Sequence, residues 1–393
     1  MTTSTQASLS DKPNMQAFLS LGFRPLYIAG CLWALVSIAI WIFAPQIIPA
    51  PFDGLSWHAH EMLWAFIATI AVGFLLTASA NWTKINPLKG KGLAAISILW
   101  AISRAAFLIG GNAVFWLGVI AESLFFLISA ICLLRVVTKS GSQRNYGLPI
   151  LVLALGVFNL LYLQAVVAAD YARIIEQFNF GMLCMALIAL LIARRVIPFF
   201  AMRRVPNLQI PMQTRSGQVQ LVLTIIAIGF GVLKMPAVMS LALALTGVIS
   251  LWQTIHWKPR AVLHNPMLWI LYLGYVLMGL GLIVAALQIS GISTGIFSRA
   301  AVHVHIIGMG GFAILIIGMV TRTALGHLGR PLALDASMLV SYYFMIAAVI
   351  LRLAALWPSA WYQAFLDAAA LSWIVCMGLY LWRFIPMLIR PRY

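Results

Sequence analysis

Apolar residues run along this chain in twelve long stretches, separated by short polar or basic segments. A membrane-spanning helix needs about 20 mostly apolar residues. On that criterion spans are predicted at 22–45, 58–80, 92–111, 113–136, 147–169, 174–197, 218–234, 236–256, 266–289, 299–321, 336–357 and 360–385. The seventh and eighth are the weakest: both are short, Pro236 lies between them, and merging them gives an eleven-span alternative. The pattern contains no convincing internal repeat. It predicts an all-α, polytopic membrane helix bundle, with a polar N-terminal segment over 1–21 and one transmembrane domain over 22–393.

Composition agrees with the pattern. Of 393 residues, 63% are hydrophobic and 8% charged, and the mean hydropathy is +1.01. Soluble domains carry roughly 25% charged residues, so lipid must solvate much of this surface. The net charge is +17. In a soluble protein that would suggest nucleic acid. Here the cations sit in short loops and alternate from side to side, so no nucleic-acid partner is expected. Lys84, Lys89 and Lys91, then Arg135, Lys139 and Arg144, then Arg194 to Arg215, Lys258 and Arg260, Arg322 and Arg330 all follow even-numbered spans. Loops after odd spans are nearly bare. By the positive-inside rule both termini are cytoplasmic, and an even span count agrees. The N-terminus lacks a cleavable signal pattern and is expected to be retained in the cytoplasm, partly disordered.

Charges inside spans cost about 2.5 kcal/mol or more and need partners. On this topology Glu61, Arg104, Glu122, Arg299, Arg352 and Asp367 all fall in the outer half of the membrane. The hairpin neighbours Arg104 and Glu122, and Arg352 and Asp367, are the expected pairs, equally suited to fixing a hairpin or to function.

Histidine supplies the clearest candidate chemistry. His58-Ala59-His60 opens the second span and His303-Val304-His305 lies near the start of the tenth. Both spans enter from the outside, which places all four rings at similar depth. Neutral imidazole ligates haem iron and copper. On a helix, residues i and i+2 point about 200° apart. One such motif therefore presents a ring to each side of its helix, and a flat haem held between helices suits it better than chelation of one ion. Glu61 is placed to orient His58, and Arg299 to neutralise a haem propionate or to anchor at the interface. Gly308, Gly310 and Gly311 follow the second motif and suit either helix packing or a flat cofactor. His256, His264 and His327 fall at the cytoplasmic ends, too far away to share a metal with the outer cluster. The four cysteines are separate and read as small buried hydrophobes. Walker A, H-E-x-x-H and C-x-x-C-H motifs are absent.

Several blocks carry a resemblance. They are Gly22-Phe23-Arg24-Pro25, then Trp57-His58-Ala59-His60-Glu61-Met62-Leu63, Gly73-Phe74-Leu75-Leu76-Thr77-Ala78 and Asn81-Trp82-Thr83. His303 with its glycines, Thr321-Arg322 and Leu325-Gly326-His327-Leu328-Gly329-Arg330-Pro331 complete the set. In these the chain resembles the NnrS family of bacterial membrane proteins, while residues 140–290 match only in character. The resemblance implies about twelve spans, haem b and copper, and a place in the nitric oxide response or denitrification at the bacterial inner membrane. The family motifs fall on His58, His60, His303 and His327, and less clearly on His305. His327 gains weight from the match, and Arg24, Arg104 and Glu122 are further candidates. A looser similarity links the chain to catalytic subunits of haem–copper oxidases and nitric oxide reductases. Spans six and seven here carry no histidine, so the three-histidine copper centre of those enzymes is missing.

Three functions follow as expectations. The first is a haem protein that binds nitric oxide or iron-nitrosyl species near the periplasmic side. The second is a nitric oxide reductase-like enzyme fed by a quinol or a small electron carrier. The third is a transporter of a metal ion or small molecule, against which the lack of a broken-helix repeat pair counts.

Overall fold

The computed structural model describes residues 12–211, 214–299 and 301–392. Residues 1–11 of the expected N-terminal segment lie outside them. Among the described residues there is no strand, and twelve helices are long and apolar enough to cross a membrane. They are α1 Phe23–Phe43, α2 Gly54–Thr83, α3 Lys91–Ile109, α4 Asn112–Lys139, α5 Gln143–Val167, α6 Tyr171–Arg204, α7 Thr214–Val232, α8 Pro236–His256, α9 Pro266–Ile289, α10 Ala301–His327, α11 Ala336–Ala354 and α12 Tyr362–Leu388. The protein is a multi-pass membrane protein. Pro236 does separate the seventh and eighth spans: it is the first residue of α8, where its missing N–H costs nothing.

Helix ends extend past the apolar windows. α6 continues through Arg194 and Arg195, and past Pro198, to Arg204. Apolarity marks the stretch that lipid or protein can cover, whereas backbone hydrogen bonding carries the helix further. Asp53 starts α2 with a reciprocal cap: its carboxylate accepts from the Ser56 N–H, and Ser56 Oγ accepts from the Asp53 N–H.

The chain forms two compact units. The first contains α1 to α5, the start of α6, and the ends of α10 and α12 (Met1–Gly181, Arg322–Ala333 and Met377–Tyr393). Within it, Gly30 and Gly73 let α1 and α2 approach closely: a Cβ on Gly30 would meet Ile70 at 2.8 Å. The amide of Phe23, at the start of α1, donates to Thr77 of α2.

The second unit contains the rest of α6, then α7 to α9, most of α10, α11 and most of α12 (Met182–Thr321 and Leu334–Cys376). Glycines again set the spacing. A Cβ on Gly247 of α8 would lie 2.5 Å from the Gly279 carbonyl oxygen of α9. One on Gly281 would lie 3.0 Å from the Ile307 backbone nitrogen of α10. Buried polar side chains link α7, α8 and α9: Gln220 donates to Ser250, and the Tyr275 hydroxyl donates to Gln253. Polar atoms with partners of this kind hold helices together where lipid supplies no hydrophobic drive.

Candidate functional site

α2 and α10 share a departure from regular helix. Each begins as a short α-helical segment that ends on the second histidine of its His-x-His motif. Each then widens into eight residues of π-helix, Glu61–Ala68 in α2 and Ile306–Ala313 in α10. π-helical turns are rare and concentrate at functional sites. Nothing in the apolar periodicity signals them. The two motifs belong to different units, and each is described by itself.

In the first unit His60 and Glu61 are completely buried, and Arg104 and Glu122 nearly so. The expected Arg104–Glu122 pair is present, with Nη2 to Oε1 at 2.5 Å, and it is part of something larger. Arg104 Nη1 also reaches Glu61 Oε2 at 2.7 Å, so one guanidinium bridges two carboxylates. Glu61 Oε2 further accepts from the indole N–H of Trp33 on α1. Glu61 was expected to orient His58; its other oxygen instead lies 2.8 Å from His60 Nδ1. Adjacent side chains do not face each other on a regular α-helix, but here the helix widens at Glu61. His60 Nε2 lies 2.9 Å from Asn159 Oδ1 on α5 and 3.1 Å from Glu122 Oε2 on α4. The hydrogen bond goes to Asn159 and the carboxylate is the ionic neighbour. Phe52, Trp64, Phe107 and Tyr162 pack around the ring, with centroids 5.3–6.0 Å away. Asn159 carries no charge and has no motif, so sequence reasoning missed it.

His58 is half-buried, and its ring stacks on Trp41 of α1 with centroids 5.3 Å apart and planes 9° from parallel. Gly54 belongs to the same arrangement, because a Cβ there would meet Trp41 at 2.2 Å.

The second unit holds His303 and His305, both half-buried. Gln288 of α9 is a residue that no motif or charge pattern singles out. Its amide nitrogen donates to the carbonyl oxygens of Phe297, at 2.6 Å, and Arg299, at 2.8 Å. That turns its Oε1 toward His303, whose Nδ1–H donates to it. His305 Nδ1–H donates to the Ala301 carbonyl at 2.7 Å. Each ring therefore carries a proton on Nδ1, and a neutral ring of this tautomer has its lone pair on Nε2. A ligating histidine needs that arrangement, with a hydrogen bond on one nitrogen fixing the tautomer and directing the other at the metal.

The glycines of α10 differ in their surroundings. Cβ atoms on Gly310 and Gly311 would meet Leu277 and Met278 of α9 at 3.3 and 3.0 Å, so these two are packing glycines. A Cβ on Gly308 would meet nothing within 4 Å. Arg299 is exposed, and its carbonyl is what reaches this site.

Other expected residues lie elsewhere. Arg24 is buried and its Nη1 donates to the carbonyls of Leu388, at 2.8 Å, and Arg390, at 2.5 Å, closing the end of α12. A cation there also complements the helix dipole. His327 packs against Phe23, with centroids 5.4 Å apart. The expected Arg352–Asp367 pair is not formed. Asp367 accepts from Gln363 four residues before it, which a helical turn brings within 2.8 Å. Among the described residues, no three or more His, Cys, Asp or Glu side chains gather as a metal cluster.

The model of a family described as NnrS protein matches residues 17–392, nearly the whole chain. No curated protein matches it.

Proposed function

This chain belongs to the NnrS family, and on that footing we propose that it is a haem b protein of the nitric oxide response, with copper as a second metal. The observation that carries the proposal is the pair of Nδ1 hydrogen bonds in α10, which fixes in His303 and His305 the tautomer that ligates through Nε2 when neutral. An imidazole set in this way suits iron and copper alike. His303 and His305 would hold the group. The open surface at Gly308, within about a turn of both rings, leaves room beside them for a flat ring. When bound, haem supplies an iron centre that takes up nitric oxide or exchanges it with iron-nitrosyl species. The chain's own part is to fix the ligating tautomers through Gln288 and Ala301.

The alternation of basic loops supports a bacterial inner-membrane location, both termini in the cytoplasm and the histidine motifs in the periplasmic half. A reporter active only in the cytoplasm, fused to either end, must then give signal; silence at either end refutes this orientation.

The deciding experiment measures haem and copper per chain on detergent-purified protein, with optical and EPR spectra before and after nitric oxide. A Soret band that shifts with nitric oxide and is lost or altered in His303→Ala and His305→Ala is expected. Protein without a Soret band, or with one untouched by both substitutions, sinks the proposal.

A further inference from the structure

We infer that the two His-x-His motifs do different jobs: His60 is a buried two-sided hydrogen-bond donor that takes no metal and positions α2, while ligation falls to His303 and His305. The second half of that statement rests on the function proposed above; the first half stands on the geometry of the first unit alone.

Both ring nitrogens of His60 are occupied. Nδ1 faces a carboxylate oxygen of Glu61 at 2.8 Å, and Nε2 faces Asn159 Oδ1 at 2.9 Å with Glu122 Oε2 at 3.1 Å. All three are acceptors, so both nitrogens donate. A metal ligand needs a lone pair on one of them, and here neither has one to offer. The Nδ1 atoms of the α10 histidines donate instead to uncharged oxygens, an amide oxygen and a backbone carbonyl.

Charge counting agrees. Glu61 and Glu122 bring two negative charges into a buried site and Arg104 brings one positive. A doubly protonated His60 makes the sum zero, the condition under which buried charges are tolerated. The aromatic rings packed around His60 suit a cation and fill the space that a haem or a metal with further ligands would need.

The assembly draws on five spans: Trp33 from α1, His60 and Glu61 from α2, Arg104 from α3, Glu122 from α4 and Asn159 from α5. It closes at the residue where α2 becomes π-helical. His60 is thus a positioning residue. It fixes the rotation of α2, and with it the face on which His58, two residues earlier, meets Trp41.

The test uses full-length protein in lipid nanodiscs with 15N-ring-labelled histidine. One histidine should show both ring nitrogens protonated in solid-state NMR. Its signal should be the same in metal-loaded and metal-depleted protein, and it should vanish in His60→Gln. That variant should keep wild-type haem and copper occupancy and the same EPR axial-ligation signature, whereas His303→Ala should lose occupancy by about tenfold or more. Stability lost in His60→Gln should return in part in His60→Gln/Glu122→Gln, which restores neutrality; a lost ligand would show no such recovery. Where His60→Gln does not accumulate, Glu122→Gln keeps the ring and identifies the resonance by shifting it. A His60 signal with one unprotonated nitrogen, or loss of haem or copper in His60→Gln, overturns the inference. If the wild type binds neither metal nor haem, the proposed function fails while the doubly protonated ring still stands.

Discussion

Replacing Arg104 with leucine removes one of the two cations that face both Glu61 and Glu122 in the first unit. Its guanidinium lies 2.7 Å from Glu61 and 2.5 Å from Glu122, and all three residues are almost wholly shielded from solvent. A charge-assisted hydrogen bond contributes about 1.5–3 kcal/mol, and removing one partner of a buried pair costs about 3–5 kcal/mol. Two such contacts are lost, and His60 alone must then face two carboxylates. Chains unfolded in a membrane or micelle still find partners, which pulls the value down, so about 3 kcal/mol is expected for Arg104→Leu. Reversible unfolding in mixed dodecylmaltoside and SDS micelles measures it. The cause is charge imbalance more than lost packing, so Arg104→Leu/Glu122→Gln should recover at least half of the deficit. A cost for Arg104→Leu below about 1 kcal/mol, the range of an exposed ion pair, would refute the reasoning. So would a double variant no more stable than the single.

Gln288→Leu should leave the fold intact and lower metal or haem occupancy by about 10- to 100-fold, because His303 loses the acceptor that fixes its tautomer; optical titration of the loaded protein reads this directly. Gly247→Ala should destabilise by about 1–3 kcal/mol, since the added methyl would lie 2.5 Å from a backbone oxygen that cannot step aside. Gly308→Ala, which meets nothing within 4 Å, should unfold like wild type, so any fall in its haem content comes from the ligand face. Asp53 gives a pH dependence. Burial pushes its carboxyl up, but hydrogen bonds from Ser56 and Tyr171 outweigh that and hold it below the ordinary value. The stabilisation it gives the start of α2 is therefore complete above the ordinary carboxylate range and disappears as pH falls below about 4. Asp53→Asn should flatten the acid limb of a stability–pH curve, and an unchanged limb would count against the cap.

Much of this protein was legible without a structure. The twelve spans follow from apolar run length, because a bilayer accepts only helices of one minimum length. The Arg104–Glu122 pair was readable because a charge in an apolar hairpin has few places to find its opposite. The His-x-His motifs were readable because imidazole is rare in such runs. What pattern could not decide was where each side chain's hydrogen bonds would end. The sequence treats the two motifs as equivalent. Tertiary structure separates them, for His60 falls among Glu61, Glu122 and Asn159, whereas His303 falls beside an amide whose own protons are already committed. Asn159 and Gln288 were invisible for the same reason: a neutral amide in an apolar run acquires a meaning only from its neighbours in space. The π-helical turns that aim these residues are likewise set by packing between helices, which hydrophobic periodicity along one chain does not encode.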